Sequence, residues 1–79
     1  MKQIKSLEEL INSIEDGNND FFINFGIARS SKNITYNDGI FYIVNEIDGT
    51  EQELTTEQLF NEDYTNIGKA IKQGQFYQY

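Results

Sequence analysis

Most side chains able to do chemistry in this 79-residue chain are carboxylates, and they are unevenly placed. Between Asn33 and Gly68 there are eight acidic residues and no basic one, so this segment carries −8 in a chain whose net charge is −7. A surface with charge of one sign attracts oppositely charged partners and speeds their association. The clustering predicts a surface for a basic partner, made by Glu46, Asp48, Glu51, Glu53, Glu57, Glu62 and Asp63. The alternative interpretation is that these acids only keep a small protein in solution.

Three tyrosines, Tyr64, Tyr77 and Tyr79, are predicted to supply anchors for the same contact. Tyr64 follows the last of the acids, and Tyr77 and Tyr79 belong to an aromatic tail over residues 75–79. Tyrosine is enriched at the energetically dominant positions of interfaces, because its ring is apolar and its hydroxyl is polar. Closure of the small core is the competing use of these rings.

A short basic stretch, Arg29-Ser30-Ser31-Lys32, is expected in a loop after the first strand. The guanidinium, hydroxyl and ammonium groups of Arg29, Ser30 and Lys32 have the chemistry to hold a phosphate or carboxylate. A solvated loop explains the same residues. A third interpretation is a positive counter-site that pairs with the acidic segment of a second copy.

Absent residue types exclude several classes of function. The chain has no histidine and no cysteine, which removes the commonest general base, metal ligands and nucleophile. We therefore expect no enzyme, no cofactor and no metal site. The negative charge disfavours direct contact with nucleic acid or anionic lipid. No apolar run approaches the ~18 residues of a membrane span and no secretory signal is present, so a cytoplasmic location in a bacterial host is expected.

The elements that must position these residues follow from local patterns. Ser6 is predicted to N-cap an amphipathic helix over 6–16, and Glu9 to complete its capping box. Phe21, Ile23, Phe25 and Ile27 alternate onto one face of a half-buried strand over 21–27, with Phe22, Asn24 and Gly26 on the other face. A polar loop follows over 28–32. Asp38-Gly39 joins strands 33–36 and 40–47, and pairs Tyr36 with Phe41 and Ile34 with Ile43.

Turn and capping patterns in the second half of the chain predict a polar edge strand and two short helices. Asp48-Gly49 turns the chain into a strand over 50–54. Thr55 and Gln58 form a capping box for a helix over 56–62, and a further helix covers 66–73. The fold class is α+β: one domain over 1–79 with an antiparallel meander of three or four strands, helices packed on one face, and the order α-β-β-β-(β)-α-α.

The whole chain resembles the small acidic accessory proteins of phages and prophages of low-GC Gram-positive bacteria. The resemblance rests on length, acidity, the lack of Cys and His, and the phrases Leu-Thr-Thr-Glu-Gln-Leu and Asn-Ile-Gly-Lys-Ala-Ile-Lys-Gln-Gly-Gln-Phe-Tyr. Some members of this class are anti-CRISPR or anti-restriction inhibitors. The resemblance implies stoichiometric binding to a host protein without turnover, and it assigns no residue roles.

The leading hypothesis is therefore a non-catalytic inhibitor, a nucleic-acid mimic whose acidic face occupies the basic, nucleic-acid-binding surface of a host or defence protein. Two alternatives stay open. One is a structural, self-assembling protein, a homodimer joined through its edge strand or aromatic tail. The other sequesters a small anionic ligand through Arg29, Ser30 and Lys32.

Overall fold

A single antiparallel sheet organises the protein in the computed structural model, which describes residues 1–79. The elements in chain order are β1 (Lys2–Gln3), α1 (Leu7–Glu15), β2 (Asp20–Asn24), β3 (Arg29–Asn37), β4 (Ile40–Asn45), β5 (Glu51–Thr55), α2 (Thr56–Leu59), α3 (Ile67–Lys72) and β6 (Phe76–Gln78). The six strands lie in the order β1-β6-β2-β3-β4-β5. The α+β class is confirmed.

The strand count corrects the predicted meander of three or four strands. The aromatic tail is not an appendage: β6 lies between β1 and β2 and pairs with both. Two strands at the chain ends, of two and three residues, were not predicted because they are too short to show a period-2 pattern. Partners far away in the chain define them: Lys2 pairs with Gln78, and Phe22 pairs with Tyr77.

The first predicted strand ends earlier than its apolar alternation indicates. β2 stops at Asn24, and the Phe25 N–H donates to the Ala28 carbonyl at 2.8 Å across a tight turn. Gly26 holds a positive φ of 87° in that turn, which glycine adopts without strain. Phe25 and Ile27 are consequently 55% and 108% exposed, and the prediction that they face the core is wrong. The predicted loop over 28–32 is instead largely the first part of β3.

The predicted hairpin around Asp38-Gly39 is confirmed with its register. Tyr36 pairs with Phe41 and Ile34 pairs with Ile43. Asp38 and Gly39 have positive φ values of 50° and 80°, as a type I′ turn requires. The fourth strand is confirmed as β5, which pairs with β4 and forms one edge of the sheet.

All three helices pack on one face of the sheet. Their inner side chains share one core of 14 buried residues with the sheet: Ile4, Leu10, Ile14, Phe21, Ile23, Ile34, Phe41, Ile43, Leu54, Leu59, Ile67, Ala70, Ile71 and Phe76. The Thr55–Gln58 capping box of α2 is confirmed, although α2 ends at Leu59. Ser6 caps α1 as predicted, but Glu9 accepts its hydrogen bond from the Lys5 N–H.

The last helix is held against the chain segment that precedes it. Gly68 of α3 packs so closely on that segment that an added Cβ would lie 2.5 Å from the Phe60 Cα.

The helices are also short, and none of them has the length and apolar character needed to cross a membrane.

Candidate protein interface

The sheet has a second face that no helix covers. Residues paired across an antiparallel sheet point to the same side, and they alternate along each strand. Because Phe21, Ile34 and Phe41 lie in the core, their strand neighbours point to the opposite side. This uncovered face is made by Phe22, Arg29, Ser31, Asn33, Thr35, Tyr42, Val44, Glu51, Glu53 and Tyr77.

An aromatic cluster occupies the middle of the uncovered face. Phe22 is only 1% exposed although it lies outside the core. Tyr77 stacks on its ring at a centroid distance of 5.4 Å, Tyr79 lies at 4.6 Å, and the Arg29 guanidinium sits 4.3 Å above the ring. The hydroxyls of Ser31 and Tyr79 are 2.6 Å apart. These five residues, the Phe22 cluster, bury an aromatic ring without help from a helix.

Tyr77 and Tyr79, which the sequence nominates as interface anchors, are thus partly used within the fold. Tyr77 is half-buried, whereas Tyr79 remains 49% exposed. Only the exposed portion of Tyr79 is free to meet a partner. The tail is therefore divided between the two faces of the sheet: Phe76 is in the core, and Tyr77 and Tyr79 are on the uncovered face.

Carboxylates dominate the β5 side of the uncovered face. Glu51 and Glu53 stand opposite Val44 and Tyr42 of β4, and both are exposed. These four residues, together with Ile43 and Gln52, line a shallow depression of about 290 Å³. We call Glu51 and Glu53 the acidic margin. No basic residue occurs in β4, in β5 or in the turn between them, so these strands supply no counter-charge to the margin.

Asp48, one of the predicted site residues, stabilises the turn before β5. The Asp48 carboxylate accepts hydrogen bonds from the Thr50 N–H at 3.0 Å and the Thr50 hydroxyl at 2.7 Å. These bonds hold the pKa of Asp48 below its ordinary value of 3.8. Burial lowers the pKa of Lys32, and the nearby Asp48 carboxylate partly opposes that shift. Glu46 is exposed in the same turn, with its N–H bonded to the Ser31 carbonyl at 3.0 Å.

The remaining predicted acids lie on the helical side of the sheet. Glu57 is on α2, and Glu62 and Asp63 lie in the loop after that helix. The Gln52 side-chain amide donates to the Tyr64 carbonyl at 2.7 Å and ties that loop to β5. The seven acids therefore surround the β5 side of the molecule but are divided between two faces. Tyr64 is 46% exposed on the helical side.

The basic stretch does not converge on a ligand. These residues begin β3, where side chains alternate between faces. Arg29 lies on the uncovered face over Phe22, whereas Ser30 and Lys32 pair with Ile23 and Phe21 and point to the helical side. A loop would have allowed the three groups to gather around an anion, but the strand separates them.

Phe22 and Tyr42 are the surface-forming residues that the sequence pattern did not reveal. The alternation places Phe22 with Asn24 and Gly26, which are small or polar, on the face of the strand opposite the core. The available signal was an aromatic residue out of phase with the apolar alternation. Tyr42 carries the same signal in β4, and it is 39% exposed beside Glu53.

The structure groups no three His, Cys, Asp or Glu side chains in a way that could hold a metal ion. Comparison of the chain with protein-family models, with curated proteins and with solved structures gave no match.

Proposed function

We propose that this protein is a non-catalytic inhibitor that binds a basic surface of a host or defence protein, a surface that otherwise holds nucleic acid. The observation that carries the proposal is the acidic margin: two exposed carboxylates on an uncovered sheet face, in strands that contain no basic residue. The anti-defence role implied by the resemblance to phage accessory proteins is part of this proposal.

Electrostatic attraction supplies the long-range part of the binding. An exposed ion pair contributes only about 0.2–1 kcal/mol, so no single carboxylate sets the affinity. Glu46, Glu51, Glu53 and Glu57 can form several such pairs with one partner. Every 1.4 kcal/mol that these pairs add to the binding free energy raises the affinity about tenfold. Salt screens such pairs, which makes the contact sensitive to ionic strength.

Exposed aromatic side chains supply short-range contacts, and Tyr42 is the one that lies next to the charges. Tyr42 lies beside Glu53 on the uncovered face and is 39% exposed. Tyr79 is 49% exposed on the same face, and Tyr64 is 46% exposed on the helical side. Tyr42 is therefore the aromatic anchor beside Glu53. Tyr79 shares that face but lies over β2, with β3 and β4 between it and β5.

A pull-down from the lysate of a low-GC Gram-positive host tests the proposal. The protein is washed at low and high salt beside the margin variant, in which Glu51→Lys and Glu53→Lys change the acidic margin and Glu57→Lys changes the adjacent α2. The matched control reverses Glu8, Glu15 and Asp16, three exposed acids of α1 and its C-terminus, so that both variants change the charge equally.

We expect the wild type and the α1 control to retain a nucleic-acid-binding protein at low salt, and the margin variant to lose it. Retention by the margin variant would overturn the proposal. Equal loss from both variants would show that net charge, not the position of the acids, governs the binding, and would overturn it as well.

The two alternative functions have less support. Sequestration of a small anion would need Arg29, Ser30 and Lys32 to lie together. Arg29 is on the opposite face of the sheet from Ser30 and Lys32. Self-assembly through β5 would bring the Glu51 and Glu53 side chains of two copies together, and like charges directly opposite one another destabilise a strand pair.

A further inference from the structure

The outer side of β5 carries backbone groups that the fold leaves unpaired. The Asn45 N–H donates to the Thr50 carbonyl at 2.8 Å, which places a hydrogen-bonded pair at the start of the β4–β5 ladder. In an antiparallel ladder these pairs recur at every second residue. The backbone groups of Gln52 and Leu54 therefore face β4, and those of Glu51 and Glu53 face away from the sheet.

No other part of the chain satisfies these outward groups. β5 is the last strand of the sheet, and Glu51, Gln52 and Glu53 are all exposed. The next outward N–H, that of Thr55, is already bonded to the Gln58 side chain at 3.0 Å. The free part of the edge is thus the N–H and C=O groups of Glu51 and Glu53, the same residues that form the acidic margin.

We propose that the β5 edge binds an extended, basic segment of a partner protein as an added strand. Backbone hydrogen bonds to Glu51 and Glu53 align the segment, and lysine or arginine at alternate positions lies beside their carboxylates. Strand addition of this kind takes affinity from the main chain and specificity from alternate side chains. This inference rests on the proposed function and names the mode by which the basic partner docks.

Charge selects this occupant over a second copy of the chain. Pairing β5 with another β5 places Glu51 and Glu53 of one copy beside those of the other, which repel. A basic segment has the complementary charge at the same positions. The opposite edge of the sheet is β1, whose two residues offer a much shorter ladder. Very short edges of this kind discourage pairing.

Amide hydrogen exchange by NMR tests the edge residue by residue. The probe is a peptide of four Lys-Thr repeats, acetylated and amidated at its ends. In the free protein we expect the amides of Gln52 and Leu54 to exchange slowly and those of Glu51 and Glu53 to exchange rapidly. With the peptide bound, Glu51 and Glu53 slow by about tenfold or more, since each N–H gains a partner. Binding without this slowing, or no binding at all, would overturn the inference.

A matched pair of variants separates backbone pairing from charge. Glu53→Pro and Glu53→Thr remove the same carboxylate, but only proline also removes the outward N–H, a change that an edge strand tolerates. We expect Glu53→Pro to bind the peptide at least about tenfold more weakly than Glu53→Thr, which corresponds to 1.4 kcal/mol. Equal affinities would overturn the edge mode.

The results also distinguish this inference from the proposed function. If the charge-reversal variant loses its partner while Glu53→Pro and Glu53→Thr bind alike, the acidic surface acts without strand addition, and only the edge mode fails. Far-UV circular dichroism verifies that each variant is folded. If Glu53→Pro unfolds, the pair Glu51→Pro and Glu51→Thr repeats the comparison at the other outward N–H.

Discussion

Replacing Phe22 by alanine is the sharpest test of how the uncovered face is built. The alternation of the strand predicts that Phe25 is in the core and that Phe22 is on a polar face, whereas the structure shows Phe22 to be 1% exposed and Phe25 to be 55% exposed. The alternation therefore predicts that Phe25→Ala destabilises the fold more than Phe22→Ala, whereas the structure predicts the reverse. Each removes the same atoms, so each serves as the control of the other.

The magnitude depends on the surroundings of the Phe22 ring. Burial of a phenylalanine side chain contributes about 1.5–3 kcal/mol. Each ring pair, here with Tyr77 and Tyr79, adds about 0.5–1.5 kcal/mol, and the stacked Arg29 adds a smaller contribution. Because the exposed Tyr79 side chain can partly collapse into the space, we expect a loss of about 3 kcal/mol, the lower end for buried phenylalanine.

That loss is large for a chain of this size. A 79-residue domain has an unfolding free energy of about 4–12 kcal/mol at typical stability per residue. The melting temperature of Phe22→Ala should fall by about 12–24 °C. Phe25→Ala should stay within about 0.5 kcal/mol of the wild type, as exposed substitutions do.

Urea unfolding followed by far-UV circular dichroism measures both variants, and tyrosine fluorescence gives a second probe because the chain has no tryptophan. A loss below about 1 kcal/mol for Phe22→Ala would refute the stabilising role of the Phe22 cluster. A loss for Phe25→Ala equal to that for Phe22→Ala would restore the simple alternation of the strand.

Two further outcomes test the helical layer and the β4–β5 turn. Gly68→Ala should lower the unfolding free energy by about 1–3 kcal/mol, since its Cβ would lie 2.5 Å from the Phe60 Cα; an unchanged urea midpoint would contradict this packing. Because Asp48 has a lowered pKa, its bonds to Thr50 stabilise the fold above its ordinary value of 3.8, and the contribution disappears as the pH falls through the folded pKa. The unfolding free energy of Asp48→Ala should therefore fall less steeply with decreasing pH than that of the wild type. An equally steep fall in both proteins would be inconsistent with the turn described.

Local features of this fold were readable from the sequence. Asp38-Gly39 set the turn, and with it the pairing of Tyr36 with Phe41, because positive φ at both positions limits the residue types and the loop length determines the register. Thr55 and Gln58 predicted the start of α2 for a similar reason, since the capping hydrogen bonds join residues three positions apart. Charge segregation was also visible directly, because it depends only on composition along the chain.

The candidate interface was only partly predictable. The sequence indicated which acids lie near the edge strand, but it did not show that the Tyr77 and Tyr79 backbones are separated from β5 by three strands. It did not show that Glu51 and Glu53 share a face with Tyr42 while Glu57 lies on the helical side. That division depends on the phase of β5 against β4 and on the face that the helices cover. Both are properties of the assembled sheet.

Tertiary structure alone decided the arrangement of β1, β6 and β2 at one side of the sheet. The C-terminal β6 lies between β1 and β2, and no local pattern in three residues specifies such partners. Phe22 is buried because that arrangement brings Tyr77 and Tyr79 over it, and Arg29 joins them because β3 begins earlier than its polar residues suggest. Hydrogen bonds and capping that join near neighbours leave a signature in the sequence. Pairing and burial between distant segments are set by the energy of the whole fold.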